Sequence, residues 1–180
     1  MRMAQLLASL LACGLVGCGP HWRVVESSDG AYTVELPGAP EVIHEEVQTP
    51  FGPAHREGLV FLTGRLSRWT LSWNALYFVW STKWPDRAEG ISRQAVLDWE
   101  RDRLVELGGR CCDPSQSATF EESSTNVDGH PGRAVLVRSP GTDVERLSRL
   151  VFVENRSYVL AVSDSQPELA ERFLSSLAIH

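Results

Sequence analysis

The chain has few cysteines, little basic charge and no long apolar run. Its four cysteines are Cys13, Cys18, Cys111 and Cys112, without the spaced pairs that structural zinc needs. Lys and Arg number 17 against 23 Asp and Glu, a formal net charge of −6, and no basic run offsets it. An acidic chain of this kind is not built to bind nucleic acid. The longest apolar stretch, Met3 to Val16, falls short of the roughly 20 residues that span a bilayer. Catalytic signatures are missing as well. His21, His44, His55, His130 and His180 show no HExxH or paired spacing. Gly64-Arg65-Leu66-Ser67-Arg68 lacks the glycine pair of a nucleophile elbow. Gly108-Gly109 reads as the end of a helix, so it opens no phosphate loop. Neither an enzyme, a metal site nor a cofactor is expected.

The first residues supply the clearest motif. Arg2 is the only charge before Cys18, and the apolar stretch ends in Leu15-Val16-Gly17-Cys18. A basic start, a short apolar core and small residues before a cut are the parts of a secretory signal. This ending resembles a bacterial lipobox, which predicts a cleaved signal peptide over 1–17 and lipid on Cys18. Cys13 would leave with the leader, and loss of Arg2 makes the mature chain more acidic still. Bacterial lipoproteins resembling this one carry two or three chains on that cysteine, whereas one chain alone binds only reversibly. Gly19, Pro20 and His21 then form a tether of about 10 Å before Trp22. No acidic residue follows Cys18, so by the enterobacterial sorting rule the expected location is the periplasmic face of the outer membrane.

Residues 22–180 have the length and composition of one globular domain, with 43% apolar residues and six tryptophans. His21–Glu26 reads as a strand, ended by Ser27-Ser28-Asp29-Gly30. Ala31–Leu36 alternates with one apolar face. Val42–Thr49 and Ala54–Thr63 form a strand pair about Pro50-Phe51-Gly52-Pro53. Trp69, Leu71, Trp73, Ala75 and Tyr77 share a face of the next strand, which is apolar on both faces from Leu76 to Trp80. Ser92 starts a helix that runs to about Leu107 and stops at Gly108-Gly109. Its stripe of Val96, Leu97, Leu104 and Leu107 is interrupted by Glu100.

Further strands are expected at Ala118–Ser124, Arg133–Ser139, Arg146–Glu154 and Ser157–Ser163. Val127-Asp128-Gly129-His130-Pro131-Gly132 forms a turn before the second of these. Ser165-x-x-Glu168 resembles a capping box with Pro167 in the first turn, ahead of a stripe of Leu169, Phe173, Leu174 and Leu177. The sum is an α+β fold, an antiparallel sheet with helices packed on it.

Cys111-Cys112 is the most unusual local feature. With Cys13 removed and Cys18 acylated, an oxidising compartment leaves these two to form a vicinal disulfide. The same pair could hold a soft metal, bridge to another chain, or carry no role; Asp113 is the one adjacent ligand, where structural zinc uses four. Among the tryptophans, Trp69 and Trp73 belong to the core by alternation. Trp80 and Trp84, beside a proline-containing loop, are the better candidates for a contact surface, although packing is the commoner fate of such residues.

Trp22 with Asp29-Gly30-x-Tyr32-x-Val34-x-Leu36-Pro37 resembles the opening of PsbP-like and Mog-like domains. Asp128-Gly129-His130-Pro131-Gly132, Tyr158-Val159-Leu160 and Phe173-Leu174-Ser175-Ser176-Leu177 are similar to the rest of that pattern, while Thr63 to Ser117 departs from it. The resemblance implies an α/β/α sandwich and a mostly non-enzymatic role, as in photosystem accessory subunits, a small-GTPase regulator and secretion chaperones. The expectation is therefore a lipid-anchored accessory or binding module for a membrane-associated envelope protein. The other reading is a small-molecule, metal or redox sensor at Cys111 and Cys112.

Overall fold

A computed structural model describes residues 21–66, 71–85, 92–110, 117–140 and 145–180. Its strands are β1 (Arg23–Glu26), β2 (Tyr32–Leu36), β3 (Glu41–Thr49), β4 (Gly52–Leu66), β5 (Leu71–Lys83), β6 (Thr119–Val127), β7 (His130–Arg138), β8 (Glu145–Val153), β9 (Arg156–Asp164) and β10 (Ala178–Ile179). The two helices are α1 (Arg93–Arg110), between β5 and β6, and α2 (Pro167–Leu174), between β9 and β10. Seven strands form one antiparallel sheet in the order β3-β4-β5-β9-β8-β7-β6, and β1-β2-β10 form a second, smaller one. Within the large sheet, two runs of hairpins meet at β5 and β9. α1 carries the chain from mid-sheet to the far edge, from which β6 to β9 return.

The central strands are apolar on both faces because both are covered. Tyr77, Val79, Leu160 and Val162 face one core, shared with Tyr32, Val34 and Leu36 of β2 and with Ala170, Phe173 and Leu174 of α2. Their neighbours Phe78, Trp80, Val159 and Ala161 face the opposite core, under Leu97 and Leu104 of α1. Helix α1, the large sheet, and α2 with the small sheet thus make three layers. The double-sided reading of Leu76 to Trp80 is borne out, since Tyr77, Phe78, Val79 and Trp80 are all buried.

Several local expectations change. α1 does not stop at Gly108-Gly109 but continues to Arg110. A Cβ on Gly108 would stand 2.7 Å from Val137 Cγ1, and the Ser139 hydroxyl donates to the Gly108 carbonyl at 3.1 Å. This glycine lets the helix approach β7 and is not a left-handed cap. At the other end Ser92 does cap the helix, its hydroxyl accepting from Ala95 N–H at 3.1 Å. Leu107, expected in the buried stripe, is 37% exposed.

The capping box at Ser165 does not form. Gln166 precedes the first turn of α2, without a side-chain cap bond. Pro167 at the first helical position drives the residue before it extended (φ −107°, ψ 98°), so the helix starts later than the box requires. In the second half, the turn shrinks to Asp128 and Gly129, both with positive φ (48° and 79°). These are the values of a two-residue hairpin turn, and His130, Pro131 and Gly132 already belong to β7. β10, not foreseen from the sequence, pairs antiparallel with β2 through Ala178↔Thr33 and Ile179↔Tyr32.

Candidate functional site

Cys18, the leader over 1–17, Cys111, Cys112 and Trp69 lie outside the described residues. Trp80 and Trp84 are buried, at 8% and 2% exposure, so they pack within the fold and do not form a contact surface. Their depth has a cause that alternation alone does not supply. Glu100, seen in the sequence as a break in the α1 stripe, is fully buried and accepts from three elements of the sheet. Arg56 Nη2 of β4 donates to Glu100 Oε2 at 3.1 Å, and Trp80 Nε1 of β5 to the same oxygen at 3.0 Å. The Ser157 hydroxyl of β9 donates to Oε1 at 2.6 Å and accepts from Trp84 Nε1 at 3.0 Å. Arg56 also donates to Thr82 Oγ1 at 3.0 Å, and its guanidinium lies 4.8 and 5.3 Å from the rings of Trp80 and Trp99. A buried carboxylate persists only when paired and hydrogen-bonded. Here it is both, which makes it a strut pinning α1 to the sheet, with no open side for a substrate.

The open site lies on the other face. Past the end of the α2-side core, the turn between β1 and β2 borders an open cleft of about 340 Å³, whose lining also takes in Glu45 and Arg56. Strand register builds its floor in two rows. In one, Glu46 stands opposite His55, His55 opposite Lys83, and Lys83 opposite Arg156. In the other, His44, Glu57, Ser81 and Tyr158 follow one another across the same four strands. Ser28 and Asp29 of the turn close the top.

Asp29 accepts from Arg156 Nη2 at 2.6 Å and from Ala31 N–H at 3.2 Å. Burial raises the Asp29 carboxyl, but Arg156 and these hydrogen bonds outweigh it and hold it below the usual carboxylate range. Arg156 also donates to the Ser81 hydroxyl at 2.9 Å. Glu57 accepts from Ser28 N–H at 3.0 Å and from the Ser28 hydroxyl, with His44 Nδ1 at 3.7 Å. Tyr32, its ring edge-on to Tyr158 at 5.7 Å, is fully buried with a hydroxyl that has no hydrogen-bond partner among the described residues. Burial first, then the charges of Glu57 and Asp29, push its ionisation far above the ordinary tyrosine value.

Among the described residues no group of three or more His, Cys, Asp and Glu is placed to hold a metal ion, and no helix is long and apolar enough to cross a membrane. The sequence treated His44 and His55 as unrelated; the β3–β4 hairpin brings both to the cleft. His130 begins β7, and His180 Nε2 lies 3.4 Å from Thr33 Oγ1.

These features define a mixed α+β protein of mostly antiparallel strands, with two helices among the described residues and a polar cleft at one end of the large sheet. No protein-family model matches the chain, and no curated protein matches it by sequence. Among solved structures it is similar to cyanobacterial PsbP (CyanoP) from Synechocystis sp. PCC 6803, with a TM-score of 0.55 and 14% identity. That likeness covers 93% of this chain and 97% of the other, so the fold is PsbP-like.

Proposed function

We propose that the protein is a lipid-anchored accessory module of the bacterial cell envelope, non-enzymatic and acting on a membrane-associated partner protein. The observation that carries this reading is the PsbP-like fold over 93% of the chain, joined to the lipobox ending at Cys18. The contacts of Trp22, four residues after Cys18, support this reading. Its ring meets Tyr77 edge-on at 6.0 Å and lies 4.4 Å from the Arg172 guanidinium, so the chain is fastened to the sheet directly after a very short tether. The domain would then stand against the membrane, on the periplasmic face of the outer membrane by the sorting reading. Cys111 and Cys112 lie outside the described residues, and the sensor reading gains no observation from the fold.

Metabolic labelling with a fatty acid tests the anchor. Label should enter the wild-type chain, be absent from Cys18→Ala, and follow the protein into the membrane fraction. Crosslinking from native membranes should then recover a recurrent envelope protein with the wild type and lose it with Cys18→Ala. An unlabelled wild-type chain refutes the anchor. Labelled chain without a recurrent crosslinked protein refutes the accessory role.

A further inference from the structure

The row His55, Lys83 and Arg156 places three basic side chains directly opposite one another on β4, β5 and β9. Lys83 and Arg156, like charges directly opposite one another, destabilise a sheet unless something answers them. Arg156 is answered by Asp29 and Ser81. The side chains of Lys83 and His55, both exposed, make no hydrogen bond or ion pair among the described residues. Of the carboxylates that line the cleft, Asp29 holds Arg156, Glu57 holds Ser28 and faces His44, and Glu45 lies 3.6 Å from Arg56. Glu46 stands at the outer end of the row, opposite His55 on edge strand β3. Lys83 is thus the cation whose side chain is left over among the described residues where the cleft opens, and the Tyr32 hydroxyl, without a partner among the same residues, lies close enough to Asp29 and Glu57 to feel their charge.

We propose that this cleft binds a soluble, multiply charged oxyanion of the phosphate type, held by His55, Lys83 and Arg156. Arg156 supplies a fork already fixed by its partners, suited to two oxygens at once, while Lys83 supplies a mobile point charge. A cleft of about 340 Å³ admits the anion together with part of a small carrier molecule. A soluble source is favoured over a lipid headgroup by position. From Tyr77, which meets Trp22, to Lys83 is six residues of β5, about 20 Å. The turn after β1 carries Asp29 to the same far end, away from the residue that follows the tether. The site stands without the anchoring reading, because none of its residues belongs to the leader.

Isothermal titration of the full chain with inorganic phosphate, at constant ionic strength in chloride, tests it. Saturable binding is expected, weakened about tenfold, or about 1.4 kcal/mol, in Lys83→Gln and comparably in His55→Gln. Arg23→Gln, an exposed site on β1, should leave it unchanged, and thermal melts should show all three variants folded. Absence of saturable binding, equal affinity in Lys83→Gln, or an equal loss in Arg23→Gln overturns the proposal. Full-chain Cys18→Ala mixed with phosphatidylglycerol and phosphatidylcholine vesicles separates the sources. Lys83-dependent binding of inorganic phosphate without preference for the anionic vesicles supports the soluble oxyanion; Lys83-dependent binding confined to anionic vesicles overturns it. Failure of fatty-acid labelling would leave these titrations unaffected.

Discussion

Replacing Glu100 by alanine removes the one carboxylate that three elements of the sheet share. Arg56, 7% exposed, would keep the Thr82 hydroxyl and, for its charge, Glu45 at 3.6 Å, a carboxylate half open to solvent, and Trp80 Nε1 would lose its acceptor. Taking one partner from a buried pair costs about 3–5 kcal/mol, chiefly through the charge left behind. The orphaned indole N–H belongs to the same network, so its penalty is not simply added. We expect a loss of about 4 kcal/mol. In a chain of this size, each kcal/mol lowers the melting temperature by about 2–4 °C, giving a drop of roughly 8–16 °C.

Urea unfolding followed by tryptophan fluorescence measures the loss as a midpoint shift at unchanged slope. Glu100→Gln should cost less, about 1–2 kcal/mol, because its amide oxygen still accepts from Arg56 and Trp80 while its NH₂ turns to Ser157. Glu100→Leu combined with Arg56→Met exchanges the pair for apolar groups and should cost less than the two single changes added together. The strut interpretation is refuted by a Glu100→Ala loss below about 1 kcal/mol, the size of an ordinary substitution, or by additivity in the double mutant.

Gly108→Ala should destabilise by about 1–3 kcal/mol, because the new Cβ would lie 2.7 Å from Val137 Cγ1. The same change in an unobstructed helix gains up to about 1 kcal/mol, so the sign of the thermal shift decides whether α1 approaches β7 this closely; Val137→Ala in the same chain should recover part of the loss. Acid should weaken the fold through depressed carboxylates. The Arg133 hydrogen bond is the main cause holding Asp98 below its ordinary value of 3.8, and the Ser175 hydroxyl, then Arg149, hold down Glu171. Since the folded pKa values lie below the unfolded ones, their stabilisation is present above about pH 4 and is lost as pH falls through the depressed values. A urea midpoint unchanged between neutral pH and about pH 3 would refute this.

What was legible in the sequence is what a single strand or helix decides by itself. Alternation located β2, β5 and β7; β8 and β9 were read as a hairpin, and the run of apolar residues from Leu76 to Trp80 gave away a strand covered on both sides. The stripe of α2 held for Phe173 and Leu174. The misreadings share a cause, which is that the deciding partner is remote. Gly108 looked like a helix stop because the sequence does not show Val137 arriving against it. Ser165-x-x-Glu168 matched a box by spacing, yet Pro167 set the start of the helix. β10 is two residues long and becomes a strand only by pairing with β2, on the order of 150 residues earlier in the chain.

The two polar clusters follow the same logic more strongly. Glu100 sat in an apolar stripe, and that misfit was a signal: a carboxylate at a buried helical position requires donors. The sequence could announce the requirement but could not say that Arg56, Trp80 and Ser157 meet it, because three strands in a particular register bring them there. The cleft carried less warning still. His55, Lys83 and Arg156 are ordinary surface residues when read singly, and they form a row only because β5 pairs with β4 on one side and with β9 on the other. A slip of one residue in either pairing would turn one strand's members to the opposite face and dissolve the row. The buried two-sided core that pins β5 in register therefore also fixes the cleft, which ties any ligand affinity at Lys83 to packing at Tyr77 and Val79.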